Sequence, residues 1–194
     1  MRHKGVKKEQ TLQKILEATG RGFKKNGYAG IGVDALSKAA GATSGAFYSH
    51  FGSKAGAFES VLKTGLDEVI EGIPKFQKDY GENWVKEFAE YYLGKTHRND
   101  LECGCAMATL TPEVVRTEKK VHGIYEKKMT VITDLIANGL AGKTEKDRLT
   151  KAWSLLGVLI GGINIARAMK STKLSEEIAT AIKSAAIEAA GPTK

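Results

Sequence analysis

Val33-Asp34-Ala35-Leu36-Ser37-Lys38-Ala39-Ala40-Gly41-Ala42-Thr43-Ser44-Gly45-Ala46-Phe47-Tyr48-Ser49-His50-Phe51 is the stretch whose reading decides the fold. Leu36, Ala39 and Ala40 fall at helical spacing and predict a short helix from about Val33 to Ala40, with its apolar side turned to a core. Gly41 permits a tight turn. A second short helix follows from about Ser44 to Phe51, where Phe47 and Phe51 recur one turn apart as anchors, and Gly52 ends it. What remains outward is Thr43, Ser44, Gly45, Ala46, Tyr48, Ser49 and His50. These are hydrogen-bonding or very small residues, suited to bringing a helix N-terminus close to a DNA major groove.

The expected roles divide by reach. Thr43 and Ser44, at the helix start, can donate to a phosphate or read a base edge, and the free backbone N–H groups there favour an anion. Gly45 has no side chain to obstruct the approach, and the Ala46 methyl can meet a thymine methyl. Tyr48, His50 and Lys54 are placed for phosphates, Lys54 as a point charge. The competing reading is that Tyr48 and His50 only cap a small helical bundle.

Working outward, Leu12, Ile15, Leu16, Thr19 and Phe23 keep the three-four spacing of a helix from about Lys8 to Lys25, which Asn26-Gly27 stops. Three helices punctuated by glycines describe a helix-turn-helix bundle. On the other side, Ser53 is a good N-cap for a fourth helix carrying Phe58, Val61, Leu62, Leu66, Val69, Ile70 and Ile73, which Pro74 should end or kink. Further helices are expected at Trp84 to His97, Ala106 to Arg116 with an interruption at Pro112, Glu118 to Leu140, Glu145 to Lys170 and Ser175 to Ala190. No stretch alternates as a strand does. The expected fold is all-α, an N-terminal three-helix helix-turn-helix bundle followed by a larger helical domain.

The 194 residues, 42% of them hydrophobic, suffice for a sizeable core and exclude a disordered chain or a mini-protein. The net charge is +8, and its location is informative. Residues 1–65 hold 11 Lys and Arg against Glu9, Glu17, Asp34 and Glu59, a net +7, while the remainder is nearly neutral at +1. That asymmetry points to a basic module with a polyanionic partner. Cys103 and Cys105 are too few for a secreted disulfide framework, and no apolar stretch follows the basic N-terminus, so the cytoplasm is the expected location. Between Lys151 and Arg167 run 15 uncharged residues including Asn164, short of the roughly 20 that a membrane span needs.

That last segment is apolar all round: Trp153, Leu155, Leu156, Val158, Leu159, Ile160, Ile163, Ile165 and Met169 cover every side. Such a helix needs two packing partners. One is its own core, and the other is either more of the same chain or a second subunit, which Gly157, Gly161 and Gly162 would let approach closely.

Gly27-Tyr28, Ala39-Ala40-Gly41 and Gly45-Ala46-Phe47-Tyr48-Ser49-His50-Phe51-Gly52-Ser53-Lys54 together resemble the DNA-binding signature of the TetR (TetR/AcrR) family of bacterial transcriptional regulators, over residues 8–68. Gly32 departs from it, standing where the family more often has Ser or Thr. Gly104-Cys105, Ala166-Arg167-Ala168 and Ser171 to Glu177 are similar, more loosely, to one C-terminal subtype. The resemblance implies a DNA-binding domain at 8–68 and a ligand-binding and dimerisation domain at 69–194. It also implies a homodimer that binds a near-palindromic double-stranded operator, usually as a repressor, and leaves it when a small-molecule effector binds. In such dimers the last two long helices pair as a four-helix bundle, which agrees with the all-round apolar helix.

The effector step requires a two-state element, for which the fourth helix is the candidate. Trp84, Phe88, Tyr91, Tyr92, Met107, His122, Tyr125 and Met129 could line a pocket, but aromatics at helical spacing usually fill cores, and no ligand site is assigned to them. Cys103-Gly104-Cys105 permits an alternative, a regulator that senses oxidants or electrophiles through its thiols. With His97 and His122 a metal is conceivable, but the spacing matches no zinc pattern, and neither a metal nor a cofactor is expected. The four histidines, with no phosphate-binding loop and no nucleophile elbow, make a poor catalytic inventory, so no enzyme is expected. Non-specific DNA binding is the remaining alternative, and it predicts no preferred operator.

Overall fold

The computed structural model describes residues 2–194, with side chains from Glu9 onward. The side chains of Arg2, Lys4, Lys7 and Lys8, which contribute to the N-terminal charge, lie outside that description. Among the described residues the chain is helical, with one isolated β-bridge, Leu140 to Thr193. The helices are α1 (Arg2–Asn26), α2 (Val33–Ala39), α3 (Ser44–Phe51), α4 (Lys54–Tyr80), α5 (Trp84–Tyr92), α6 (Lys95–Asn99), α7 (Ala106–Thr109), α8 (Thr111–Val114), α9 (Lys119–Asn138), α10 (Glu145–Ala168) and α11 (Thr172–Ala190). A single 3-10 turn, Gly81–Asn83, leads into α5.

Hydroxyl caps set several of these starts. Thr43 Oγ1 accepts from Ala46 N at 3.1 Å, Ser53 Oγ from Gly56 N at 3.0 Å, Thr144 Oγ1 from Asp147 N at 3.1 Å and Ser171 Oγ from Leu174 N at 3.2 Å. Each satisfies one orphan N–H, an effect of about 1 kcal/mol. The Ser171 cap starts α11 at Thr172, one turn before the Ser175 start expected from periodicity. Pro74 does not end α4, contrary to expectation: the helix runs on to Tyr80. Pro74 is exposed, so the carbonyl it leaves without an amide partner can bond water. The turns on either side are fixed by packing. Ile73 is buried, Phe76 packs against Phe88 and Tyr91 at ring distances of 5.4 and 5.5 Å, and Gln77 Nε2 donates to Leu135 O at 2.8 Å.

The chain divides into two compact units, one of Met1–Gly65 with Leu101–Tyr125, the other of Leu66–Asp100 with Glu126–Lys194. Leu101–Tyr125 packs with the N-terminal helices. A Cβ on Gly65 would stand 2.7 Å from that of Ala106, Lys25 Nζ meets Glu102 at 2.6 Å, and Lys120 Nζ meets Glu59 at 2.7 Å. The core of the first unit holds Ile15, Phe23, Leu36, Phe47, Phe58 and Leu62, all buried. Of the three residues expected to face inward on α2, only Leu36 is buried: Ala39 is exposed and Ala40 half-buried, and Ser37 is buried instead.

In the second unit α10 and α11 pack most extensively against each other. Buried Ala179, Ala186 and Ala190 present a small-residue face on α11, and on α10 a Cβ at Gly162 would come within 2.2 Å of Ile182. Gly162 thus serves contact within the chain, while Cβ atoms at Gly157 and Gly161 would meet nothing within 4 Å. Leu155, Leu156, Leu159 and Ile163 are buried, but Trp153 and Ile165 remain 49% and 51% exposed. α10 is the one helix among the described residues long and apolar enough to cross a membrane, and its exposed side includes Asn164.

Candidate nucleic-acid interface

Two glycines in the left-handed region bracket the reading segment, Gly41 at φ +64° and Gly52 at φ +70°. There a side chain would strain the backbone, so the turn into α3 and its exit are held by residue type. Phe47 is fully buried, with Phe51 at 5.1 Å between ring centres, and this pair fixes which side of α3 faces the core. Gly45, Tyr48 and Ser49 are exposed as expected, and Ala46 and His50 are partly so. Tyr48 keeps 51% of its surface exposed while its ring leans edge-on against Phe47.

The hydroxyls are more committed than the sequence reading allowed. Thr43, expected at a phosphate or base edge, uses its oxygen to cap α3, leaving its proton available for a further acceptor. Ser44 donates to Asp34 Oδ1 at 2.6 Å, across the turn to α2, and Ser49 donates back to Ala46 O at 2.9 Å. Asp34 is a site residue that the sequence reading did not single out. It lies ten positions from Ser44, and only the turn brings them together.

Lys54 sits at the start of α4, its Nζ 4.6 Å from the centre of the Tyr28 ring. Tyr28 is itself locked, 5.6 Å from Phe23 and 5.3 Å from Phe58, and those two rings lie 5.6 Å apart. The aromatic face attracts the ammonium without neutralising it, so the charge stays available to an anion. Tyr28 is thus a second unassigned member of the head. The signal for it was the Gly27-Tyr28 pair itself.

The other candidates are divided between the two units. Trp84, Phe88 and Tyr92 are buried core aromatics of the second unit, with Trp84 Nε1 donating to Gly139 O at 3.2 Å, and Met129 is buried there too. Tyr91 is exposed and stacks on His97 at 5.6 Å. Met107, His122 and Tyr125 belong to the first unit, where Tyr125 and Thr111 share a hydroxyl hydrogen bond of 2.7 Å. Burial, only partly offset by that bond, raises the Tyr125 pKa above its usual value. Cys103 is exposed and Cys105 partly so, and neither is in a disulfide. No three His, Cys, Asp or Glu side chains cluster as metal ligands among the described residues.

A three-helix head with a capped, groove-sized third helix and cationic flanks defines a helix-turn-helix DNA-binding protein. Residues 15–61 match the sequence model described as bacterial regulatory proteins, tetR family. Residues 15–61 thus carry the DNA-binding segment of that family, and the chain shares its helical fold with solved TetR-family regulators. Among solved structures, a TetR-family regulator from Agrobacterium tumefaciens superposes with TM-score 0.75 at 15% identity, over 91% of this chain and 97% of that one. One from Cytophaga hutchinsonii gives 0.72 at 20%, over 93% and 94%. NemR of E. coli in its reduced form gives 0.72 at 19%, over 90% and 96%. No curated protein shows significant sequence similarity to the chain.

Proposed function

We propose that the protein is a non-enzymatic, cytoplasmic repressor that binds a near-palindromic operator as a homodimer and releases it on binding a small-molecule effector. The carrying observation is the head: α3 presents Gly45, Ala46, Tyr48 and Ser49 outward, with Lys54 held on Tyr28 beside it. Thr43, Ser44, Gly45 and Ala46 lie at the α3 N-terminus for base edges, while Tyr48, Ser49, His50 and Lys54 serve the backbone. The effector must favour the non-binding state; moving a population from 1:99 to 99:1 takes about 5.5 kcal/mol of differential affinity.

Pairing through α10 is supported by its unburied side, where exposed Trp153, Gly157, Gly161 and Asn164 recur at helical spacing with half-exposed Ile165 beside them. Leu159 is fully buried in its own unit, so its substitution tests folding rather than pairing. Trp153→Asp is the informative change: light scattering should read a monomer with unchanged circular dichroism, and an intact dimer would sink the assignment.

The deciding experiment is selection of duplexes from a random pool, followed by titration of the winner against random DNA. A specific regulator retains at least about a thousandfold ratio, whereas a non-specific binder shows none. A second reading, thiol sensing, is favoured by exposed Cys103 and by the Lys25–Glu102 pair that ties its loop to α1. Alkylation with N-ethylmaleimide should then weaken operator binding, and unchanged binding would exclude it.

A further inference from the structure

Gly191, in the left-handed region at φ +64°, ends α11 and turns the chain away from the helix axis. Residues 192–194 then run against the loop between α9 and α10, at Gly139, Leu140 and Ala141. Ala141 N donates to Pro192 O at 2.8 Å and Lys194 N to Gly139 O at 3.1 Å, on either side of the antiparallel bridge between Leu140 and Thr193. Thr193 Oγ1 donates elsewhere, to Glu82 O at 2.6 Å, in the turn that joins α4 to α5.

One short segment of the second unit therefore ties together places far apart in the chain. Gly139 O also accepts from Trp84 Nε1 at 3.2 Å, so both of its lone pairs are used, one by the segment and one by the first residue of α5. On the other side of the loop, Ala141 O accepts from Lys151 Nζ of α10 at 2.9 Å, and a Cβ on Gly191 would stand 3.7 Å from Lys151 Cε. The α4–α5 turn, the α9–α10 loop and the end of α11 meet at this segment.

What holds the segment differs from what holds its surroundings. Trp84, Leu140 and Ala190 are buried, whereas Pro192 and Lys194 are exposed and Gly191 and Thr193 half-buried. The segment contributes no fully buried side chain, and its hydrogen bonds are exchanged for bonds to water at a small net cost. α10 and α11, by contrast, pack through buried Leu155, Leu159, Ile163, Ala179 and Ala186. A segment fastened by part-exposed polar bonds opens at lower free energy than such a core.

We propose that residues 192–194 form a strap that holds the α4–α5 turn to the α9–α10 loop and opens as a unit while α10 and α11 stay folded. α4 begins in the reading head and ends at this turn, so opening removes a tie on the far end of that helix. The strap belongs to the second unit and does not depend on the operator-release reading.

Amide hydrogen exchange of the full chain, followed residue by residue by NMR, tests it. The Ala141 and Lys194 amides should show matching protection, at least about tenfold below that of the Leu159 and Ile163 amides inside α10. In a chain stopped after Gly191, Ala141 should lose at least about tenfold of what protection it has, with Leu159 and Ile163 unchanged. Thr193→Val, which removes the bond to Glu82 and leaves the backbone bonds in place, should lower the protection of Ala141 and Lys194 together. The proposal is overturned if Ala141 is as protected as α10, if Ala141 and Lys194 open independently, if either change leaves Ala141 as it was, or if shortening the chain loosens α10 as well.

Discussion

Ser44 has one hydroxyl proton, and Asp34 takes it at 2.6 Å. The bond fixes the Ser44 side chain at the start of α3 and places a carboxylate close to where DNA phosphates would lie, where it repels them. Asp34→Ala should therefore strengthen binding to every duplex and also alter base preference, because Ser44 regains a free donor. Fluorescence anisotropy on selected and random duplexes checks both, and an unchanged preference would mean that Ser44 reads no base. Tyr28 acts on Lys54 in a different manner. Tyr28→Leu keeps the apolar contact with Phe23 and Phe58 but removes a cation–π attraction of about 0.5–1 kcal/mol. Affinity for operator and random DNA should fall together, by about two- to fivefold at most. A loss confined to the operator would contradict a backbone role for Lys54.

At the scale of elements, three glycines of α10 that look equivalent in sequence have separate environments. Gly162 touches Ile182, so Gly162→Val overpacks the α10–α11 contact and should cost about 1–3 kcal/mol in urea denaturation. Gly157→Ala meets no atom within 4 Å in the chain and should gain up to about 1 kcal/mol of helix propensity if that face is open. Destabilisation of the assembled protein by Gly157→Ala would instead report a subunit pressed against it. The Arg98–Glu176 pair carries a pH signature. Because the Glu176 pKa is depressed in the folded state, its contribution is present above the ordinary glutamate range and lost as pH falls through the depressed value. Comparing denaturation midpoints of the parent and Glu176→Gln at neutral and acid pH should show the two converge in acid. Elements written in local punctuation were legible in the sequence: α2 and α3 follow from Gly41, Thr43, Phe47 and Gly52. The run of α4 past Pro74, the exposure of Ala39 and the Gly162 contact were not, since each depends on residues distant in the chain.

For the molecule as a whole, the charge asymmetry has a measurable consequence. A dimer would bring about +14 to its operator, so binding should weaken with salt by about 0.9 log units per log unit for each phosphate neutralised. The charge-removing Lys54→Ala should reduce that slope by about one phosphate per subunit, so by about two for the dimer. A slope unchanged in that variant would place Lys54 away from the backbone. The division into units has another consequence. Two of its three borders fall inside α4 and α9, and Ala106, Glu102 and Lys120 complete the packing of the N-terminal helices from far downstream. The DNA-reading head is therefore not a cassette. A graft of residues 1–65 onto a foreign sensor would leave Gly65 and Glu59 without their neighbours, so exchanging specificities between such regulators requires transplanting 101–125 as well.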